Sequence, residues 1–483
     1  MDAVADFVSS LGSQAAFAVA LLNYALVAWL IVSLVYYQRR ESTATWAWIF
    51  FLLLVPYLGV VAFWLLGSNR LRFRRWRRRR LKAGASSIAL RPTAPLPTGC
   101  PFPADPGLLE LAERLDGVNA RPWNAVTLYR EGEATFAAIE EAIDSAHDHV
   151  HLTYYIWRPD RTGKRLRDAL VRAARRGVAV RLLLDDVGCL GTPQAFFAPL
   201  AAAGGQIVRF LPLSRLGRRL SLNHRNHRKI VVVDGAAGFT GGMNVGDEYA
   251  GLQGPWLDAH VRVRGPAVQR LQEIFCEDWY HTTGEDLGAD RYFPPPSTAG
   301  EEWVQFVASG PTTDRWHAIH TILFAAINRA QRRVWLETPY FVPDVAMALS
   351  LETAALRGVD VRLVLPGRSD HQVVLYAGRS FYARLLAAGV RIYEVPKGFL
   401  HAKTATIDGR VATVGSANLD QRSFRLNFEA NAFFYGPTVA GALEASFERI
   451  LERAREVDRA AHRRRPRRQR ALEAVARLLS PVL

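Results

Sequence analysis

Two uncharged apolar runs open the chain. Residues 15–37 carry no charge over 23 positions and residues 46–67 none over 22. At 1.5 Å per residue, a helix of the first length spans about 34 Å, enough for a bilayer core. Trp29, Tyr36, Tyr37, Trp46, Trp48 and Trp64 lie toward the run ends, where amphipathic rings favour the headgroup level. The pattern predicts a two-helix transmembrane hairpin within residues 1–68, its second helix bent at Pro56 and its turn at Gln38–Thr45. Asp2 and Asp6 stand where a cleaved signal peptide would carry positive charge, and the run is long for one.

Past residue 124 the pattern changes to amphipathic helical stretches alternating with short β-rich apolar runs. Six prolines in residues 92–106 mark an extended tether, and Pro294-Pro295-Pro296-Ser297 divides the body into two halves. The halves repeat: residues 170–184 align without gaps on 351–365 and are identical at ten of fifteen positions, a helix, a Gly stop and a strand. Upstream, Ala142-Ile143, Ala146 and Val150-His-Leu152 match Ala326-Ile327, Ala330 and Val334-Trp-Leu336. The fold expected is α/β, two α/β/α sandwich repeats related by a pseudo-two-fold and preceded by the hairpin. The segments are 1–68 (hairpin), 69–124 (basic juxtamembrane segment and Pro-rich linker), 125–296 and 297–460 (the two repeats) and 461–483 (basic tail).

Composition narrows the field. The 483 residues are 49% hydrophobic and 22% charged, too apolar for disorder, and three scattered cysteines (Cys100, Cys189, Cys276) offer neither a disulfide framework nor a metal-ligand spacing. The net charge of +16 is local: nine basic side chains lie in residues 70–82 and six in residues 463–470. The remainder is close to neutral, which argues against a phosphate-tracking groove for nucleic acid and for two segments facing an anionic surface. The first cluster places both hairpin ends, and everything after residue 68, on the cytoplasmic side of the cell membrane; Arg39 and Arg40 in the turn pull the other way. The tail beyond the second cluster reads as an amphipathic helix, either packed or lying on a membrane.

Two corresponding motifs carry the candidate chemistry. His227-Arg-Lys229-Ile-Val-Val-Val-Asp234 is followed by Gly241-Gly242-Met-Asn244, and His401-Ala-Lys403-Thr-Ala-Thr-Ile-Asp408 by Gly415-Ser416-Ala-Asn418. In a strand, residues i and i+2 share a face, so each His projects with its Lys, and Asp234-Gly235 and Asp408-Gly409 fold the Gly-rich strand back as a hairpin. Histidine, lysine and asparagine then converge. Asp234 and Asp408 sit at turns, which suits a structural role, although the motif includes them. His224 lacks a Lys two residues on and reads as a bystander or supporting residue.

These motifs resemble the paired HKD motifs of the phospholipase D superfamily over residues 125–455. Residues 154–160, 241–248, 255–261, 337–343 and 419–423 are similar to the bacterial cardiolipin synthases, which also begin with a membrane hairpin. Gly242 departs from the superfamily's usual Ser, which leaves a hydroxyl contact to phosphate only at Ser416. The resemblance implies catalytic roles for His227, Lys229, Asp234, His401, Lys403 and Asp408, and phosphate contacts from Asn244, Ser416 and Asn418. It places a carboxylate behind the histidine at Glu429; Asp258 is the candidate in the first half, and either also fits a surface strand carboxylate. It favours His227 as nucleophile and His401 as acid and base, an order the residues alone leave open.

Exchange of a phosphodiester needs a nucleophile, a proton donor and positive charge at the phosphoryl oxygens, and two imidazoles with two ammonium groups supply these without a cofactor or metal. The resemblance implies that phosphatidylglycerol and anionic membrane lipids are the partners and that two phosphatidylglycerols give cardiolipin and glycerol through a phosphatidyl-histidine. A nuclease of the superfamily would leave the hairpin and the near-neutral body unexplained; a phospholipase would differ only in using water; a scaffold would not need both motifs intact.

Overall fold

The computed structural model describes residues 17–32, 42–63, 105–117, 119–212, 224–311 and 317–480. The described N-terminal helices belong to one compact unit and the described residues from 105 onward to a second.

In the N-terminal unit, residues 17–32 are helical, and the second apolar run forms the helices Ser42–Leu54 and Pro56–Ala62. Pro56 has no N–H to continue the ladder, so the helix breaks at Val55 while Val55 N and Gly59 N still reach Phe51 O and Val55 O. Val27, Leu30, Leu52 and Phe63 form a small core, and large apolar residues such as Phe17, Leu22, Trp46 and Leu54 face outward. Among the described residues no helix is long and apolar enough to cross a membrane. Residues 33–37 and 64–67 of those runs, and the basic segment 70–82, lie outside the described residues.

The second unit is built on one large sheet. Its first half supplies β1 (Arg121–Tyr129), β2 (His149–Tyr154), β3 (Ala179–Asp185), β4 (Gln206–Phe210), β5 (Ile230–Val233), β6 (Ala237–Gly241), the short β7 (Trp256–Leu257) and β8 (His260–Arg264). Its second half supplies β9 (Glu302–Ser309), β10 (Arg333–Glu337), the short β11 (Phe341–Val342), β12 (Asp360–Pro366), β13 (Arg391–Val395), the short β14 (Phe399–Leu400), β15 (Thr404–Ile407), β16 (Val411–Gly415), the short β17 (Leu419–Asp420), β18 (Glu429–Tyr435) and the edge strand β19 (Arg455–Glu456).

The strand order β4-β3-β2-β5-β6-β8-β1 in the first half is mirrored by β9-β18-β16-β15-β10-β12-β13 in the second, and antiparallel pairing of β1 with β9 joins them. The repeat seen in sequence is therefore a repeat in topology. It extends to backbone conformation: the helix stops Gly177 and Gly358 take φ of 91° and 88°, a left-handed region open to glycine.

Helices cover both faces. On one face 132–144 and 161–175 pack on the first half, and 318–329 and 345–356 on the second, over separate cores around Leu152 and Leu336. On the other face, helices Val268–Thr283 and Pro437–Leu451 share a single core that runs under both halves, including Val261, Phe306, Val414 and Phe434. One core common to both halves joins them, and it includes Ile230 and Val232 of β5 and Ala402 of the second motif.

Candidate active site

Each motif combines an apolar strand with polar ends. Ile230–Val233 and Thr404–Ile407 are buried throughout and form β5 and β15, while the His-x-Lys segments lie just ahead of them rather than within them. The segments leave the strand ladder because their backbone groups pair with the opposite half. His227 N–H donates to Phe428 O at 2.9 Å, and Asn226 bridges Phe428. His401 N–H donates to Leu257 O at 2.7 Å, as β14 pairs in parallel with β7. Each histidine is thus delivered beside the segment that leads into β8 or β18 of the other half.

That crossing sets the side-chain pairing. Glu429 places Oε1 and Oε2 each 3.0 Å from His227 Nδ1, and Asp258 Oδ2 lies 2.7 Å from His401 Nδ1. The two carboxylates are equivalent by register: Gly241 pairs with His260 and Gly415 with Asn431, and Asp258 and Glu429 each lie two residues before those partners. Both carboxylates are fully buried and both histidines nearly so. An ionised carboxylate at Nδ1 holds the proton there and leaves Nε2 as a lone pair. Lys229 Nζ donates to His227 O at 2.6 Å, and Lys403 Nζ donates to His401 O while lying 2.9 Å from its Nδ1.

Burial dominates the electrostatics. It lowers His227 and His401 to about 4, against Glu429 and Asp258, which favour the charged ring. It also lowers Lys229 to about 7 and Lys403 to about 8. Burial pushes the Glu429 and Asp258 carboxyls up, but the neighbouring histidine and lysine cations outweigh it and hold both below the ordinary range. With neutral imidazoles and below the lysine values, two carboxylates and two ammonium groups balance, so an entering phosphodiester anion brings the site's uncompensated charge and favours protonation of one ring.

The other expected residues fall into two groups. Asp234 Oδ1 accepts from Asp148 N and His149 N at 2.8 and 2.9 Å and its Oδ2 from His147 N at 2.9 Å; Asp408 accepts in the same way from Gln331, Arg332 and Arg333 N. Both take positive φ, 51° and 54°, just past the far ends of β5 and β15, seven residues and about 20 Å of extended chain from the histidines. They clamp the starts of β2 and β10 and are not brought to the imidazoles. Asn244 Oδ1 accepts from Ile156 N, and Ser416 Oγ donates to Glu429 Oε2 at 2.5 Å. Asn418 Oδ1 has no hydrogen-bond partner among the described residues and lines a small cavity with Lys403 and Glu337. At Gly242 a Cβ would sit 2.1 Å from Asp258 Oδ1, so the carboxylate fills the space a serine would need. His224 Nδ1 donates to Leu426 O at 3.0 Å, a crossing contact beside the site.

Sequence reasoning missed Arg228. It is 2% exposed, pairs with Asp278 at 2.7 Å and donates to Glu429 O and Ser309 O, tying the first motif to the second half. The signal was a guanidinium entering an all-apolar strand and an acid on the inner face of helix 268–283. The aromatic rings around the imidazoles were missed as well: Tyr155 lies 4.9 Å from His227, and Trp256, Tyr249 and Phe399 lie 5.2–5.9 Å from His401. Cys189 and Cys276 are buried and unpaired, and no group that could hold a metal ion occurs among the described residues.

Comparison with known proteins matches this architecture. The family model described as "Cardiolipin synthase, PLD-like domain" matches residues 139–279 and 323–451, and "Phospholipase_D-nuclease N-terminal" matches residues 25–68. The chain is 41% identical over 458 residues to the cardiolipin synthase of Geobacillus thermodenitrificans, covering 92% of this chain and 90% of the relative. It is 37% identical to the major cardiolipin synthase ClsA of Bacillus subtilis, covering 94% and 96%. Among solved structures, phosphatidylserine synthase of Haemophilus influenzae superposes with a TM-score of 0.58 at 14% identity, over 78% of this chain and all of that one, a likeness of fold. The shared fold, the doubled motif and identity across nearly the whole length agree: the chain belongs to the cardiolipin synthase family of the phospholipase D superfamily.

Proposed function

We propose that the protein is a phosphatidyltransferase that makes cardiolipin and glycerol from two molecules of phosphatidylglycerol. The observation that carries this reading is the pair of neutral imidazoles, each with its Nδ1–H on a carboxylate of the opposite half and its Nε2 lone pair left for chemistry. His227 Nε2 attacks phosphorus of the first phosphatidylglycerol, forming a P–N bond as the P–O bond to the terminal glycerol breaks. His401, protonated as the diester anion enters, gives that proton to the departing glycerol oxygen. The hydroxyl of the second phosphatidylglycerol then returns a proton to His401 and attacks phosphorus, breaking the P–N bond. Lys229 and Lys403 balance the non-bridging oxygens, and Asn418 offers a further polar contact.

A diacyl lipid leaves a bilayer at a cost of about 0.8 kcal/mol per methylene, so the enzyme must work at the interface. We place the apolar runs 15–37 and 46–67 in the cell membrane as a hairpin, with the two catalytic repeats, 125–296 and 297–460, on the cytoplasmic side next to the basic segment. The test is incubation of the purified full chain with phosphatidylglycerol micelles, with products followed by mass spectrometry. Cardiolipin with equimolar glycerol is expected. Phosphatidate instead would make water the acceptor, and no lipid turnover alongside cleavage of DNA would overturn the assignment.

A further inference from the structure

The C-terminal helix Arg467–Leu478 packs against helix Gln372–Ala388 with an unusual choice of faces. Its inward positions, Glu473 and Ala476, are 1% and 7% exposed, while Leu472, Val475, Leu478 and Leu479 are 45–78% exposed. The spacing 472, 475, 479 is one continuous helical stripe, with 478 beside it. A helix whose only task was packing would turn that stripe inward. Here the inner face is filled by an ion pair instead: Glu473 accepts from Arg465 at 2.7 Å and from Gln469 at 3.1 Å.

The charge next to the stripe identifies what can cover it. Arg463, Arg464, Arg467, Arg468 and Arg470 are exposed, and none forms an ion pair with a described residue. Between residues 459 and 480 the only acid is the buried Glu473. The same helical layer carries a second outward apolar stripe at Val345, Leu349 and Leu356, each more than half exposed. The corresponding layer of the first half is built differently: Glu133, Glu140 and Asp144 pair there with Arg165 and Arg172, and no large apolar side chain of helices 132–144 and 161–175 is exposed. Between these corresponding helices, apolar exposure is thus confined to the second half, where the C-terminal helix adds uncompensated cations.

We infer that helix 467–478 lies on an anionic phospholipid bilayer, with Leu472, Val475, Leu478 and Leu479 among the upper acyl chains and the 463–470 arginines against lipid phosphates. The inference rests on the lipid-substrate reading above for its setting, and it is independent of the N-terminal hairpin. The helix would hold the second repeat against the surface that supplies the substrate.

The test uses the full chain reconstituted in phosphatidylcholine vesicles with or without phosphatidylglycerol. Nitroxides are attached singly at Val475→Cys, Leu479→Cys and Arg470→Cys in a Cys100→Ser background, and their relaxation by oxygen and by an aqueous nickel chelate is compared. With phosphatidylglycerol present, the labels at 475 and 479 should favour oxygen and the label at 470 should favour nickel; protection should fall in phosphatidylcholine alone. Labels at 475 and 479 as open to nickel as the one at 470 would overturn the inference, as would dipolar broadening, which would mean that a second copy covers the face. As a second measure, Leu472→Gln with Val475→Gln should raise the apparent KM for phosphatidylglycerol in vesicles about tenfold and leave turnover in mixed micelles unchanged; an unaltered vesicle KM would count against docking. Cardiolipin formation followed in the same samples separates the two readings: lipid-buried labels without product would refute the transferase and spare the helix.

Discussion

Around His227 the orienting group is a glutamate that presents both oxygens to Nδ1 and is itself held by Ser416 and Asn427. Around His401 it is an aspartate that presents one oxygen and is held by the Ala259 N–H and the Trp256 indole. The exchange of Glu for Asp goes with the exchange of Ser416 for Gly242, because the shorter acid occupies the volume in which a serine side chain would stand. Lys403 also crowds the His401 ring while Lys229 donates to His227 O and lies over the Tyr155 ring, and Arg228, which ties the first motif across the junction, has Ala402 as its counterpart. Duplication therefore supplied two equivalent imidazoles, and their surroundings have since differed. A phosphorylated imidazole carries positive charge, which a carboxylate with both oxygens on the ring suits better than a ring next to an ammonium. That difference fits His227 to the covalent step and His401 to proton transfer.

The largest effect should come from removing either ring. His227→Ala and His401→Ala should each lower cardiolipin formation by about four orders of magnitude with an unchanged circular dichroism spectrum. The sharper experiment supplies a phosphatidyl donor with an activated aryl leaving group, which needs no acid. His401→Ala should then accumulate a covalent phosphatidyl adduct seen by intact mass, and His227→Ala should not. The reverse labelling would exchange the two roles and break the comparison drawn above.

The crossed carboxylates come next. Glu429→Gln and Asp258→Asn keep shape and lose the charge that fixes the tautomer, so each should cost about a hundredfold in turnover. With the activated donor, Glu429→Gln should slow adduct formation and Asp258→Asn should not, although Glu429 lies in the second half and Asp258 in the first. If each substitution disturbed the chemistry of the histidine in its own half, the crossing would not operate in solution.

The motif spacing, the repeat and the Asp-Gly hairpins were legible because each depends on residues near one another in sequence: alternation places His with Lys, and Asp234 and Asp408 tolerate the positive φ that their turns require. The crossing was not legible. It is decided by two backbone contacts, Asn226 with Phe428 and Leu400 with Leu257, between segments far apart in sequence whose composition carries no sign of the pairing. For the same reason the sequence gives no sign that Asn244 Oδ1 accepts from Ile156 N or that Ser416 Oγ donates to Glu429. The break in the second apolar run was legible too, because Pro56 has no N–H to continue the helical ladder.

Lysine protonation gives a smaller test. Both folded lysines lie below the ordinary value of 10.5, at about 7 for Lys229 and about 8 for Lys403, so the free site loses positive charge as pH rises through that window. The value of kcat/KM should fall across it, and fall again below about 4 as the imidazoles take up protons. Lys229→Arg keeps its charge at every relevant pH and should move the alkaline limb upward by about one unit toward the Lys403 value. An alkaline limb that ignores this substitution would assign it to another group.

Asp234 and Asp408 should be the point at which the two halves behave alike. Each carboxylate accepts three backbone N–H groups at the start of a parallel strand, and each lies at the far end of its motif from the imidazole. Asparagine tolerates the same positive φ but replaces one acceptor oxygen with a donor, so at least one N–H loses its partner at a cost of about 1–3 kcal/mol. For a unit of this size, each kcal/mol lowers Tm by about 1 °C. Asp234→Asn and Asp408→Asn should therefore lower Tm by similar amounts and leave turnover, measured well below the transition, within about threefold of the parent. A folded Asp408→Asn protein with turnover reduced a hundredfold, beside an Asp234→Asn protein of normal turnover, would give one aspartate a chemical role and extend the divergence of the half-sites to the far ends of β5 and β15.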